Sequence, residues 1–151
     1  MLIYLLRHGD APFDSSCGER SLSAQGETDT RHVVNQHLNE LSQLQLILCS
    51  PTLRARQTLK ALTETLNYQR ELLFEDALRS EGQLNAVEHC VDALDTDQIL
   101  LLSHQPLIGQ ILEYLTDKPG IGWSMDTSSL ACLDTITFGR GCADMKWLTH
   151  P

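Results

Sequence analysis

Two short apolar runs, each followed at once by a polar segment with a histidine, constrain the fold of this chain most strongly. Residues 2–6 (Leu-Ile-Tyr-Leu-Leu) lead into Arg7-His8-Gly9, and residues 99–102 (Ile-Leu-Leu-Leu) lead into Ser103-His104. Short apolar runs that end in this way are typical of buried strands. In open parallel sheets, ligands bind outside the carboxyl ends of the strands. The sequence therefore predicts two imidazoles and an arginine at the edge of a sheet where such folds bind ligands.

The rest of the chain alternates between strand-like and helix-like apolar spacing. Strands are predicted over residues 2–6, 44–49, 71–74, 98–102, 130–138 and 143–148. Helices are predicted from the N-cap Ser23 to Leu41, after Pro51, over residues 84–94 and after Pro106. This alternation predicts a three-layer α/β fold with a mainly parallel central sheet flanked by helices. The last two strands surround Gly139-Arg140-Gly141 and predict an antiparallel edge hairpin.

Composition and charge exclude several classes of protein. The chain has 151 residues without linkers or repeats, so residues 1–151 are expected to form a single domain. Its net charge of −9 argues against nucleic-acid binding, since such proteins are usually basic. No run predicts a membrane span, and Arg7 and His8 interrupt the first run too early for a signal peptide, so we expect a cytoplasmic protein. The scattered cysteines form no C-x-x-C motif, which favours reduced thiols over disulfides or zinc: Cys17, Cys49, Cys90, Cys132 and Cys142.

Groups that suit a phosphate follow three of the predicted strands. Arg7-His8-Gly9 follows the first, Arg54 lies in the first turn of the helix after Ser50-Pro51, and His104 precedes another helix. Helix N-termini offer free N–H groups, and guanidinium groups fork onto phosphate oxygens. Glycine permits close approach of the backbone to a ligand. Each segment alone is an ordinary strand exit or helix cap, but the three together predict an anion site.

Four motifs in this order resemble the histidine phosphatase superfamily, also called the phosphoglycerate mutase-like fold. They are the Leu-Leu-Arg-His-Gly-Asp of residues 5–10, the Leu-Ser-Ala-Gln-Gly of 22–26, the Ser-Pro-x-x-Arg-Ala-x-Gln-Thr of 50–58 and the Leu-Ser-His-x-Pro of 102–106. Within the superfamily, the Arg-His-Gly-Asp-Ala segment and the compact length are similar to the small SixA-type phosphohistidine phosphatases. Asp14 stands where the mutase branch has an asparagine that contacts phosphate, which weakens the mutase interpretation.

The resemblance implies a role for each residue at the predicted site. His8 would be the nucleophile and form a covalent phosphohistidine, with a hydrogen bond from its other nitrogen to a backbone carbonyl. Arg7, Arg54 and a protonated His104, with Gly9, would hold the phosphoryl group. No cofactor or metal is implied. The implied partner is a phosphohistidine-bearing protein, such as a histidine phosphotransfer domain of a two-component phosphorelay.

One departure from the family concerns the general acid. Larger members use a glutamate in a Leu-x-Glu pattern, whereas this chain has Leu78-Arg79-Ser80. Glu81, Asp10 and Arg20 remain as candidates for the acid or for the rim of the substrate site; Arg20 matches an arginine that commonly precedes the helix start in this branch. An ester must lose an alkoxide, which needs a proton, whereas a phosphohistidine loses an imidazole. The missing acid therefore favours a phosphoramidate substrate.

Several alternatives remain open at this stage. The chain could be a small-molecule phosphomonoesterase of the same superfamily, or a non-catalytic relative that binds a phosphoprotein. A cysteine phosphatase built on Cys49 would need an arginine at position 55, where the chain has alanine. A nucleotide-binding fold is poorly supported, because no glycine-rich fingerprint follows a strand.

Overall fold

The fold is built on one mixed sheet, as seen in a computed structural model that describes residues 1–16 and 18–151. Its strands are Leu2–Arg7 (β1), Leu46–Cys49 (β2), Glu71–Phe74 (β3), Gln98–Ser103 (β4), Leu130–Thr135 (β5) and Ala143–Thr149 (β6). They lie in the order β3-β2-β4-β1-β5-β6. The first four strands of the chain are parallel, whereas β5 pairs antiparallel with β1 and with β6. The predicted mainly parallel α/β fold with an antiparallel C-terminal edge is confirmed.

Helices cover both faces of the sheet: Ala24–Gln36 (α1), Leu38–Leu41 (α2), Leu53–Leu66 (α3), Leu84–Asp92 (α4) and Leu107–Thr116 (α5). Short 3₁₀ turns occur at Asp76–Leu78 and Ile121–Ser124. Alternate residues of β1 serve the two faces: Ile3 and Leu5 pack in the layer of α4 and α5, and Tyr4 and Leu6 in the layer of α1 and α3. Each such side chain stabilises the fold by about 1.5–3 kcal/mol through burial. Two covered faces explain why the central strands are continuous apolar runs.

The single helix predicted from Ser23 to Leu41 is wrong, because the chain leaves the helical path at His37. Helix α1 ends at Gln36, and His37 has a φ of −125°. The His37 ring stacks on Trp147, with 3.6 Å between the ring centroids, and its Nε2 lies 2.8 Å from the Thr149 hydroxyl. These contacts with β6 are long-range in sequence, so the helical spacing of nearby residues did not reveal them.

Two strand boundaries also differ from the prediction. Strand β2 begins at Leu46 rather than at residue 44, and β5 ends at Thr135 rather than at residue 138. Phe138 is 2% exposed and packs near Tyr114, whereas Ile136 is 92% exposed. The chain therefore turns after β5 so that one aromatic ring enters the core, at the cost of exposing an isoleucine.

The structure also bears on the thiols and on membrane association. Cys49, Cys90, Cys132 and Cys142 are free thiols, as expected, and the prediction for Cys17 lies outside the described residues. Within the described chain, no helix has both the length and the apolar character to cross a bilayer.

The topology brings three strand ends together at one edge of the sheet. Strand β4 lies between β1 and β2, and all three are parallel. Their carboxyl ends therefore meet, and the residues that follow them are His8, Ser50 and His104.

Candidate active site

His8 lies at the wall of an open cavity of about 610 Å³ at this edge. The side chain is buried, and its Nδ1 is 2.7 Å from the carbonyl oxygen of Gly9. Because a carbonyl only accepts, Nδ1 carries the proton of the neutral ring. The Nε2 lone pair therefore lies on the other side of the ring, where it accepts a hydrogen bond from Nε of Arg54 at 3.3 Å, a bond that gives way when phosphorus approaches. This arrangement presents a neutral, oriented nucleophile beside a cation.

The loop after β1 is clamped to the start of α1 by two glycines and a cap. A Cβ on Gly9 would lie 2.8 Å from the carbonyl oxygen of Gly26, and one on Gly26 would lie 2.6 Å from that of Asp10. The Ser23 hydroxyl donates to Asp10 Oδ2 at 2.7 Å and accepts from the Gly26 N–H at 3.0 Å. Asp10 lines the cavity, but its carboxylate accepts the hydrogen bond from the N-cap residue Ser23. Its position favours a structural role over that of a general acid.

Helix α3 is joined to the same loop through Thr58. The Gly9 N–H donates to the Thr58 hydroxyl at 3.0 Å, and that hydroxyl donates to the Arg54 carbonyl oxygen at 2.8 Å. Gly9 was expected to help hold the phosphoryl group, but its backbone N–H is already used in the hydrogen bond to Thr58. Thr58 belongs to the motif of residues 50–58, and sequence reasoning assigned it no role. Thr58 lies one helical turn after Arg54, and this spacing could have indicated that both side chains lie on the same face of the helix.

His104 is held from behind by two hydroxyl groups. Its Nε2 lies 2.7 Å from the Ser50 hydroxyl and 3.2 Å from that of Thr52. Its Nδ1 is buried and has no hydrogen-bond partner among the described residues. The ring centroids of His8 and His104 are 4.8 Å apart. Nδ1 is thus the nitrogen of His104 that is left for a ligand next to His8.

Arg7, the last residue of β1, is fixed by a carbonyl far away in sequence. Its Nη1 donates to the Met125 carbonyl oxygen at 2.9 Å, and its buried Nε has no partner within the described chain. The amide of Gln105 donates to the carbonyl oxygens of Gly122 and Met125, at 2.7 Å and 3.3 Å. Sequence reasoning missed this support from residues 121–125, because no pattern in that segment points to the site.

Burial and neighbouring cations keep both histidines neutral. Loss of hydration, with smaller contributions from Arg54, Arg7 and Arg20, lowers the pKa of His8 to about 4. Loss of hydration, His8 and the same arginines lower the pKa of His104 to about 3. The protonated His104 that we expected is therefore not the form of the free protein at neutral pH. The fixed positive charge of the site comes from its arginines.

None of the three cavity arginines, Arg7, Arg20 and Arg54, has a carboxylate within ion-pair distance among the described residues. The ion pairs of the described chain involve other side chains. Arg20 is partly buried and lines the cavity with Arg7 and Arg54. A chain with a net charge of −9 thus concentrates unpaired positive charge at one cavity. Such a local field suits a doubly charged anion.

The candidate acid at the rim is ionised. Glu81 is exposed, lines the cavity and accepts a hydrogen bond from the Ser80 hydroxyl at 2.8 Å. Hydrogen bonds from its own backbone N–H and from Ser80 lower its pKa below the usual range. A carboxylate in this state has no proton to donate at neutral pH. The described residues also contain no cluster of three His, Cys, Asp or Glu side chains that could hold a metal ion.

The alternative nucleophile, Cys49, lies in an unsuitable environment. It is fully buried in β2, and its thiol lies 3.2 Å from the Ser50 carbonyl oxygen. Burial raises the pKa of this thiol, so it stays protonated and unreactive.

Comparison with known proteins gives consistent matches. The sequence model of the histidine phosphatase superfamily (branch 1) matches residues 3–81. The chain is 30% identical to the phosphohistidine phosphatase SixA of Escherichia coli (strain K12), over all of this chain and 94% of that protein. It is 28% identical to the SixA homolog of Haemophilus influenzae, over 78% of this chain and 79% of the relative. The solved structure of a protein histidine phosphatase SixA complexed with tungstate superposes with a TM-score of 0.87 and 27% identity, over 100% of this chain and 97% of that one.

Proposed function

This chain belongs to branch 1 of the histidine phosphatase superfamily, and from that premise we propose that it removes the phosphoryl group from a histidine phosphotransfer domain of a two-component phosphorelay. The name of its SixA relatives supports phosphohistidine as the substrate. The observation that carries the proposal is the state of His8. Its Nδ1–H is held by the Gly9 carbonyl, and its Nε2 lone pair faces Arg54 in an open cavity.

The phosphoryl group would be held by groups that have no other partner. Nε of Arg7 and Nδ1 of His104 are both buried without a hydrogen-bond partner in the described chain. Together with Arg54 they would oppose the negative charge on the equatorial oxygens, which is the main catalytic contribution in phosphoryl transfer. A bound dianion would also favour protonation of His104. Arginine and histidine thus supply all the positive charge that the reaction needs.

In the first step, the Nε2 lone pair of His8 forms a bond to phosphorus while the bond from phosphorus to the substrate nitrogen breaks. With a proton on its remote nitrogen, the substrate ring leaves as a neutral imidazole. His8 becomes a phosphorylated imidazolium, and the Gly9 carbonyl stabilises its Nδ1–H. Water then bonds to phosphorus, dihydrogen phosphate leaves with both protons of that water, and His8 returns to its neutral form.

The described residues place no suitable general acid at the site, which supports a P–N substrate over an ester. Glu81 is ionised, and the Asp10 carboxylate is engaged by Ser23. Protonation of a departing alkoxide by an acid typically contributes about 10²–10⁴-fold to the rate. Transfer between two histidines exchanges one P–N bond for another and needs no such acid.

The test compares three substrates under the same conditions. We expect fast phosphate release from a phosphorylated histidine phosphotransfer domain, slower release from p-nitrophenyl phosphate, and the slowest from a phosphoserine peptide, whose alkoxide most needs an acid. Preference for the esters would show a small-molecule phosphomonoesterase instead. If the chain binds the phosphorylated domain but neither releases phosphate nor forms an acid-labile phosphoenzyme, it is a non-catalytic binding protein.

A further inference from the structure

An exposed tryptophan stands next to the active-site cavity without a role in the core. The Trp123 side chain is 78% exposed. It lines a second cleft, of about 190 Å³, that shares Gln105 and Pro106 with the active-site cavity. The two cavities are therefore neighbours, with these two residues in the wall of each. Large exposed aromatic side chains beside a binding site are typical of contact surfaces.

The turn that carries Trp123 is held rigidly by α5. Oε1 of Glu113 accepts hydrogen bonds from the N–H groups of Gly120 and Gly122, at 2.9 Å and 3.2 Å. A Cβ on Gly109 would lie 2.8 Å from the Gly122 carbonyl oxygen, so the turn lies directly against the helix. Trp123 is thus presented on an ordered backbone. Little conformational entropy remains to be lost when a partner contacts it.

Two polar side chains of the cleft are used within the protein, whereas the Gln110 side chain is exposed. The Glu113 carboxylate binds the two backbone N–H groups, and the Gln105 amide donates to Gly122 and Met125. The faces of Pro106 and Trp123 and the glycine backbone remain for a ligand. Ligand pockets for small molecules usually measure about 300–1,000 Å³. A cleft of 190 Å³ whose apolar surface comes from Pro106 and Trp123 therefore fits one side chain better than a cofactor.

We propose that the Trp123 cleft is a subsite for an apolar side chain of the protein substrate, next to its phosphohistidine. This inference rests on the proposed function and deepens it. The occupant follows from the position of the cleft beside the catalytic cavity: when a folded protein inserts a phosphohistidine toward His8, residues next to that histidine lie over the rim. A small phosphorylated molecule has no such residues. The cleft therefore distinguishes phosphohistidine on a protein from phosphorus–nitrogen compounds of low molecular weight.

The experiment uses Trp123→Ala in the full-length chain, with two probes. We expect kcat/KM for a phosphorylated histidine phosphotransfer domain to fall about tenfold or more, as for a buried aromatic contact. For phosphoramidate, which contains a P–N bond but no protein surface, kcat/KM stays within twofold of the wild type. Because Trp123 is exposed, its removal leaves the melting temperature unchanged. Substitution at Glu113 or Gly122 is avoided, since it would also move Met125 and Arg7.

Ile136→Ala is the matched control. Ile136 is 92% exposed but follows β5 at the opposite end of the sheet, beside Met1. Its variant should behave as wild type with both probes. An equal loss on both probes, or no loss with the phosphorylated domain, would overturn the subsite while leaving the proposed function intact. Failure of the wild-type protein to dephosphorylate any phosphohistidine protein would instead overturn the proposed function.

Discussion

Arginines in two regions of the molecule have opposite electrostatic environments. Arg31 on the outer surface of α1 contacts the carboxylates of Glu27 and Glu64, at 2.9 Å and 2.6 Å, and these hydrogen bonds raise its pKa. Arg7 and Arg54 line the cavity, contact no carboxylate among the described residues, and have pKa values that burial lowers. Arg31 therefore links α1 to α3 through its ion pairs, whereas the charges of Arg7 and Arg54 have no carboxylate partner among the described residues.

The difference in pairing shows that the cavity provides a binding site at a cost in folding free energy. A charge that loses water without gaining a partner costs folding free energy, whereas an exposed ion pair contributes little. The carboxyl edge of the sheet brings two neutral imidazoles together with Arg7 and Arg54, and neither arginine has a carboxylate within ion-pair distance among the described residues. A bound anion would pair with these arginines and offset the free energy that their lost hydration costs. Four predictions follow from the contrast between the Arg31 pairs and the cavity arginines.

The largest effect is expected from His8→Ala, which removes the nucleophile but keeps every arginine. Phosphate release from a phosphorylated phosphotransfer domain should fall by at least about a thousandfold, as when other enzymes lose a nucleophile, and no phosphoenzyme should form. His32→Ala is the control, since His32 is exposed on α1 and its Nε2 contacts only Gln36. Near-normal turnover by His8→Ala would show that the cations alone are sufficient.

Arg54→Lys tests whether the cavity needs a guanidinium or only a positive charge. Lysine has a single nitrogen, Nζ, and lacks the planar fork that lets Arg54 donate to His8 from Nε and bind phosphate with its other nitrogens, so kcat/KM should fall about a hundredfold. Arg31→Ala should leave kcat/KM within twofold and lower the free energy of unfolding by about 1 kcal/mol or less. Steady-state kinetics and urea denaturation of both variants separate the two roles. Similar losses of kcat/KM in Arg54→Lys and Arg31→Ala would contradict the separate roles of the two arginines.

Inorganic phosphate should stabilise the protein through the cavity arginines. Ligand at a hundred times its Kd adds about 2.7 kcal/mol to the free energy of unfolding. The melting temperature should therefore rise with phosphate in the wild type and in Arg31→Ala, and much less in Arg54→Ala. Sodium chloride at matched ionic strength is the control. A phosphate shift that survives in Arg54→Ala would place the anion elsewhere.

The smallest effect concerns acid pH. The pKa of His8 is about 4 in the folded protein, while in the unfolded chain a histidine takes up a proton below about pH 6.5. The unfolded state therefore binds more protons between these values, and the free energy of unfolding decreases as the pH falls. We expect His8 alone to contribute a loss on the order of 1–2 kcal/mol between pH 6.5 and 5, and His104 to add a similar loss. His8→Gln should reduce this slope in urea titrations; an unchanged slope would contradict the neutral, buried His8.

Local sequence was sufficient for the six strands, apart from two boundaries, and for the charged side chains and histidines that line the cavity. Central strands such as β4 are buried on both faces, so their apolar character depends little on which neighbours they have. His8, Arg54 and His104 were found because each follows such a strand directly or through a short turn. Prediction failed where long-range contacts decided the outcome: His37 stacks on Trp147, and Phe138 turns into the core.

The sequence by itself determined the order of strands and helices along the chain and the chemical groups at the carboxyl ends of three strands. Only the tertiary structure decided which nitrogen of each imidazole faces the cavity, because Gly9 orients His8 whereas Ser50 and Thr52 orient His104. It also decided that the Met125 carbonyl holds Arg7 and that Glu81 is an ionised rim residue. Hydrogen-bond direction and loss of hydration depend on atoms brought together from distant segments, and the spacing of residues along a chain does not contain that information.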